Sequence, residues 1–77
     1  MEAGGVREAR VYADNPRVVF VFNGIFWTAV RREELSGARI PRVVVVGRDG
    51  GRRACRDATV DEALRGERCA QVPPQGP

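Results

Sequence analysis

The 77-residue sequence has no histidine and no lysine, a single serine, Ser36, and only two cysteines, Cys55 and Cys69. Each shortage removes a class of chemistry. Without histidine, the side chain best suited to proton transfer near neutral pH is missing. Two cysteines without CxxC spacing, and no histidine beside them, leave the familiar zinc sites unavailable, so neither metal nor cofactor is expected. The lack of lysine excludes a GxxxxGK[ST] phosphate loop, and Gly47, Gly50 and Gly51 read as turn glycines. Ser36 has no base to activate it. Long apolar runs are absent as well: none approaches the roughly 18 to 20 residues that span a bilayer. The opening MEAGGVREAR is charged where a signal peptide would be apolar. The expectation is a protein of the cytoplasm with no membrane contact, in which both thiols stay free.

The carboxylates offer little more. Glu33–Glu34 and Asp61–Glu62 are adjacent pairs, and neighbours on a helix diverge by about 100°. Neither pair converges on one substrate atom. Cys55, between Arg53 and Arg56, is the one candidate nucleophile, because flanking guanidinium groups lower a thiol pKa. An inert thiol is the plainer reading, and the sequence is taken as non-enzymatic.

What is present points to strands and to positive charge. Twelve valines stand against two leucines, and branching at Cβ suits a pleated strand better than a helix. All 13 basic residues are arginines, against 10 acids, for a net charge of +3. A GC-rich coding bias accounts for arginine in place of lysine, but not for its distribution. Arg39, Arg42, Arg48, Arg52, Arg53 and Arg56 face the lone acid Asp49 within residues 39–56, a concentration suited to a phosphate-bearing or acidic partner.

Along the chain, residues 1–5 are expected to fray, residues 6–69 to form one domain, and residues 70–77, rich in proline and glycine, to form a disordered tail. VREARVYA reads as a first strand or, alternatively, a short helix, and Asp14-Asn15-Pro16 as a turn. In RVVFVFNGIFWTAVRR, residues 17–32, Asn23-Gly24 between apolar runs marks a hairpin. A two-residue loop would set Phe22 opposite Ile25 and Phe20 opposite Trp27. One face would then carry Val18, Phe20, Phe22, Ile25, Trp27 and Ala29, the other Val19, Val21, Phe26, Thr28 and Val30. REELSG reads as a helical turn closed by Gly37, residues 42–47 and 52–56 as a second hairpin, and Thr59-Val60-Asp61-Glu62 as a capping box opening a short helix that ends at Gly66. The fold class is α+β: a small twisted antiparallel sheet of about four strands, open or barrel-like, with one short carboxy-terminal helix.

Neither hairpin face is polar, and one helix of about seven residues, some 10 Å long, is too short to cover a face. Folding at this size buries only about 60% of the surface of the unfolded chain. A homo-oligomer is therefore expected over Val19, Val21, Phe26, Thr28 and Val30, the alternatives being a foreign partner or cover by the chain's own amino-terminal segment and loops. The favoured function is a small basic binding protein that contacts nucleic acid or an acidic protein surface through Arg42, Arg48, Arg52, Arg53 and Arg56 on the hairpin of residues 39–56. The alternative is a small inhibitor or adaptor, of the kind phages encode, docking by an apolar sheet face. The fragment VVFVFNGI, residues 18–25, resembles the strand-Asn-Gly-strand passage of bacterial Sm-like RNA chaperones, whose small barrels assemble into RNA-binding rings. The resemblance covers about eight residues, without that family's amino-terminal helix or closing strand, and no binding residue is carried over from it.

Overall fold

The structure, a computed structural model, describes residues 6–73; the expected frayed start and the last residues of the expected tail lie outside them. Six strands form one sheet: β1 (Glu8–Tyr12), β2 (Asn15–Phe22), β3 (Trp27–Arg31), β4 (Ile40–Val46), β5 (Arg52–Ala58) and β6 (Cys69–Gln71). A 3₁₀ turn (Arg32–Leu35) follows β3, and helix α1 (Val60–Arg65) separates β5 from β6. The spatial order is β3-β2-β1-β4-β5-β6, with β1 and β4 parallel and every other pair antiparallel. The sheet is mixed and open, larger than the expected four strands and without barrel closure.

Two features depart from the expected sheet, an added strand and a parallel pairing, and they have distinct causes. β6 runs from the last residue of the expected domain into the expected tail and is only three residues long, but Ala70 pairs with Ala54 and Cys69 with Cys55. Those two cysteines form a disulfide, so the thiols expected to stay free are joined. The parallel β1–β4 ladder sets Val11 beside Val45, a pairing between distant segments that no local pattern reports.

The first hairpin differs from expectation by two positions. Phe22 faces Trp27, Val21 faces Thr28 and Phe20 faces Ala29, so the loop holds four residues, Asn23–Phe26. Gly24 alone takes a positive φ, 100°, whereas a type I′ turn over Asn23-Gly24 requires it at both residues. The Asn23 side chain instead accepts the backbone N–H groups of Ile25 and Phe26, at 3.0 and 3.2 Å. A shift of two leaves the faces intact, because side chains alternate with period two. Only Ile25 and Phe26 leave their faces, for the loop.

One face carries the core. Val11, Val19, Val43 and Cys55 from four strands are wholly buried, with Leu35 of the 3₁₀ turn and Val60 and Ala63 of α1 packed over them. Each such valine contributes on the order of 1.5–3 kcal/mol of burial. The helix is indeed short, but the 3₁₀ turn covers β2 and β3 while α1 covers β4 and β5. Its start follows from the capping box: Glu62 N–H donates to the Thr59 hydroxyl at 3.1 Å and Thr59 N–H to the Glu62 carboxylate at 2.9 Å. Gly66 ends it in the left-handed conformation. Pro41, which has no N–H to donate, lies opposite Asp57, whose φ is 52°. Alternation breaks there, and Ile40 and Ala58 turn inward, wholly buried, rather than following Arg42 and Arg56 outward.

The expected partner-facing residues are largely consumed by this core. Val19 is fully buried, and Val21 and Val30 pack against the cluster. Thr28 and Phe26 stay exposed. The 3₁₀ turn supplies the cover that a single short helix lacks.

Candidate binding face of the sheet

Among the described residues, the opposite face bears neither helix nor turn. Strand register arranges it in rows across the sheet. In the first, Trp27, Phe22, Glu8, Arg42 and Arg56 lie side by side. In the second, Ala29, Phe20, Arg10, Val44 and Ala54 do so. A third row is interrupted by the irregularity after Val11: Arg31 and Val18 on one side of it, Tyr12, Val46 and Arg52 on the other. Aromatic groups gather on β1 to β3 and guanidinium groups on β4 and β5, with Arg10 between them.

The aromatic half is packed without being hidden. Tyr12 and Phe20 meet edge to face at 5.7 Å between centroids, and Phe22 and Trp27 are tilted at 5.0 Å. All four are half-buried. The Arg10 guanidinium sits 4.9 Å from the Trp27 ring centroid, a cation–π placement. Its Nε is buried with no hydrogen-bond partner among the described residues. No carboxylate lies within ion-pair distance of Arg10 among the described residues. A buried donor left unpaired costs free energy until something accepts from it.

In the basic half, Arg42 stands directly opposite Arg56, and like charges in that position repel. Glu8, the one carboxylate on these rows, pairs with Arg42 at 3.1 Å. Arg56 and Arg52 have no ion-pair partner among the described residues. Other arginines of the 39–56 segment serve elsewhere. Arg53 points to the core side and donates to the Ala63 carbonyl at 3.5 Å. Arg39 holds the helix start through Glu62 at 3.3 Å and the Asp57 carbonyl at 2.8 Å. Arg48 is exposed in the loop between β4 and β5. Of the arginines expected to bind together, the fold gathers Arg42, Arg52 and Arg56 and separates Arg48 and Arg53. Sequence reasoning missed Arg10 and Arg31, which lie outside the basic segment and join the face only because β1 pairs with β2 and β4, and β3 with β2.

The groups considered for catalysis do not converge. A cleft of about 610 Å³ is lined by Arg17, Val18, Arg31, Arg32, Glu33, Ser36 and Asp61. Arg32 and Asp61 neutralise each other there as an ion pair. Among the described residues no group of three or more potential ligands is placed to hold a metal ion, and no helix is long and apolar enough to cross a membrane. The Glu62 carboxyl is held below its ordinary range chiefly by the Thr59 N–H it accepts, and Arg65 is raised chiefly by its hydrogen bond to Glu67. Both belong to α1 and its flanks.

Comparison with protein families, with curated proteins and with solved structures finds no match.

Proposed function

We propose that this protein is a non-catalytic nucleic-acid-binding module that takes an unpaired strand across the open face of its sheet. The observation that carries the reading is Arg10: a buried donor without a partner, held on the Trp27 ring at the junction of the aromatic and basic halves. A phosphate oxygen or a base-edge acceptor satisfies that donor, and an incoming base can replace the guanidinium on the indole. Stacking of this kind is worth about 1–3 kcal/mol per base. Arg42, Arg52 and Arg56 supply the phosphate contacts that set salt-dependent affinity. An open face of half-buried rings suits splayed, unpaired bases better than a stacked duplex.

On this reading the protein works in the cytoplasm, where the Cys55–Cys69 bridge would meet reducing thiols. Binding is therefore to be measured with the bridge both intact and reduced. The test is fluorescence anisotropy of labelled single-stranded DNA, single-stranded RNA and duplex across a salt series. Preference for unpaired strands, with affinity falling steeply between low and physiological salt, is the expected outcome. No binding of any oligonucleotide at low salt refutes the reading.

A second reading, a small inhibitor or adaptor of another protein, draws on the β2–β3 loop. There Ile25 is 83% and Phe26 57% exposed, and large apolar groups at a loop tip suit insertion into a pocket. Phe26→Asp would abolish capture of such a target and leave oligonucleotide binding intact.

A further inference from the structure

The two edges of the sheet are unlike. β6 is three residues long, fastened to β5 by a disulfide, and leads into Pro73. Short length and a nearby proline are ordinary ways of blunting an edge against strand addition. β3, at the opposite edge, is WTAVR. It has no proline, glycine or bulge, and no charge before its last residue, and its residues favour strands.

Its backbone is also turned the right way. Asn23 N–H donates to the Phe26 carbonyl at 3.4 Å, so those two residues form a hydrogen-bonded pair. Antiparallel alternation then makes Phe22–Trp27, Phe20–Ala29 and Val18–Arg31 the non-bonded pairs. The N–H and C=O groups of Trp27, Ala29 and Arg31 therefore point away from β2, toward the free edge. The segment complements itself. With Ala29 on a two-fold axis, Trp27 of each copy lies beside Arg31 of the other, repeating across the edge the indole–guanidinium contact that Arg10 makes within the chain. Thr28 then faces Val30, and small Ala29 meets its own copy. A parallel arrangement would instead bring Arg31 beside Arg31, which charge disfavours.

We propose that β3 pairs antiparallel with β3 of a second copy, centred on Ala29, to give one continuous sheet of doubled width with both open faces on the same side. The pairing needs no ligand and stands whether or not the protein binds nucleic acid. In the dimer, residue 29 of each copy lies about 5.5 Å from its counterpart, Cα to Cα, within disulfide reach. Ala29→Cys should form a covalent dimer under mild oxidation, whereas Ser36→Cys, exposed but outside the β3 strand and its ladder, should not. Ala29→Lys puts two ammonium groups face to face. In sedimentation velocity the wild type is expected at twice the chain mass and Ala29→Lys at one, with the same far-UV circular dichroism. A wild type that sediments as one chain at high micromolar concentration, or Ala29→Cys that links no faster than Ser36→Cys, overturns the proposal.

Discussion

The guanidinium of Arg10 on β1 reaches across β2 to lie 4.9 Å from the ring centroid of Trp27 on β3. Trp27 is the one tryptophan in the chain, so its emission reports this contact alone. Saturating single-stranded oligonucleotide should change that emission, and Trp27→Ala should weaken binding by about 1–3 kcal/mol. Arg10→Ala removes a cation–π contact worth about 0.5–1 kcal/mol together with an unsatisfied buried donor. Its urea midpoint should stay near that of the wild type while affinity falls.

Arginines on the two faces should behave differently. Arg42→Ala, Arg52→Ala and Arg56→Ala are each expected to reduce the slope of log affinity against log salt by about 1. Arg53→Ala should leave the slope unchanged, because that side chain donates to the Ala63 carbonyl on the covered face. Its effect should appear in stability, at about 0.5–1.5 kcal/mol. Anisotropy at four or five salt concentrations, with urea unfolding on the same samples, separates the two.

The helix cap gives a stability test with a pH dependence. Thr59→Ala removes the hydroxyl that accepts Glu62 N–H and should cost about 1 kcal/mol. The Glu62 carboxyl lies below its ordinary value of 4.5 in the folded chain. A depressed carboxylate stabilises the fold above the unfolded value, and that contribution is lost as pH falls through the folded one. Urea midpoints measured downward from pH 5 should therefore drop more for the wild type than for Glu62→Gln.

Reduction of the disulfide should loosen the end of the sheet. Cys55 and Cys69 are 14 residues apart, and closing a loop of that order is worth about 3 kcal/mol in the chain-entropy account. Dithiothreitol should lower the urea midpoint, and amide exchange should quicken first at Cys69–Gln71.

Local chemistry was legible in the sequence and pairing at a distance was not. The Thr59–Glu62 cap and the Gly66 stop were readable because every participant lies within one short segment. Asn23-Gly24 marked the hairpin correctly. The loop length was not readable, since Asn23 satisfies two backbone donors with its own side chain and so competes with the tighter turn. β6 escaped notice because Cys-Ala-Gln carries no strand pattern of its own and is recruited by β5. The composition of each hairpin face could be listed from alternation alone. Which face would be roofed depended on Leu35 and Val60, and hence on where the 3₁₀ turn and α1 come to rest. Arg10 sits outside the basic segment and becomes central only when β1 inserts between β2 and β4.

That insertion divides the molecule into two ribbons, residues 8–31 and 40–71, whose only strand-to-strand seam among the described residues is the ladder from Ala9–Val43 to Tyr12–Val46. β1 pairs with β2 within its own ribbon, but its other edge is satisfied only once β4 has formed, since Val11 lies beside Val45. Halves cut near Gly37 and expressed together should recombine by zipping that seam, and because the aromatic and basic groups fall on opposite sides of it, restored ligand capture would signal that the fragments had found each other.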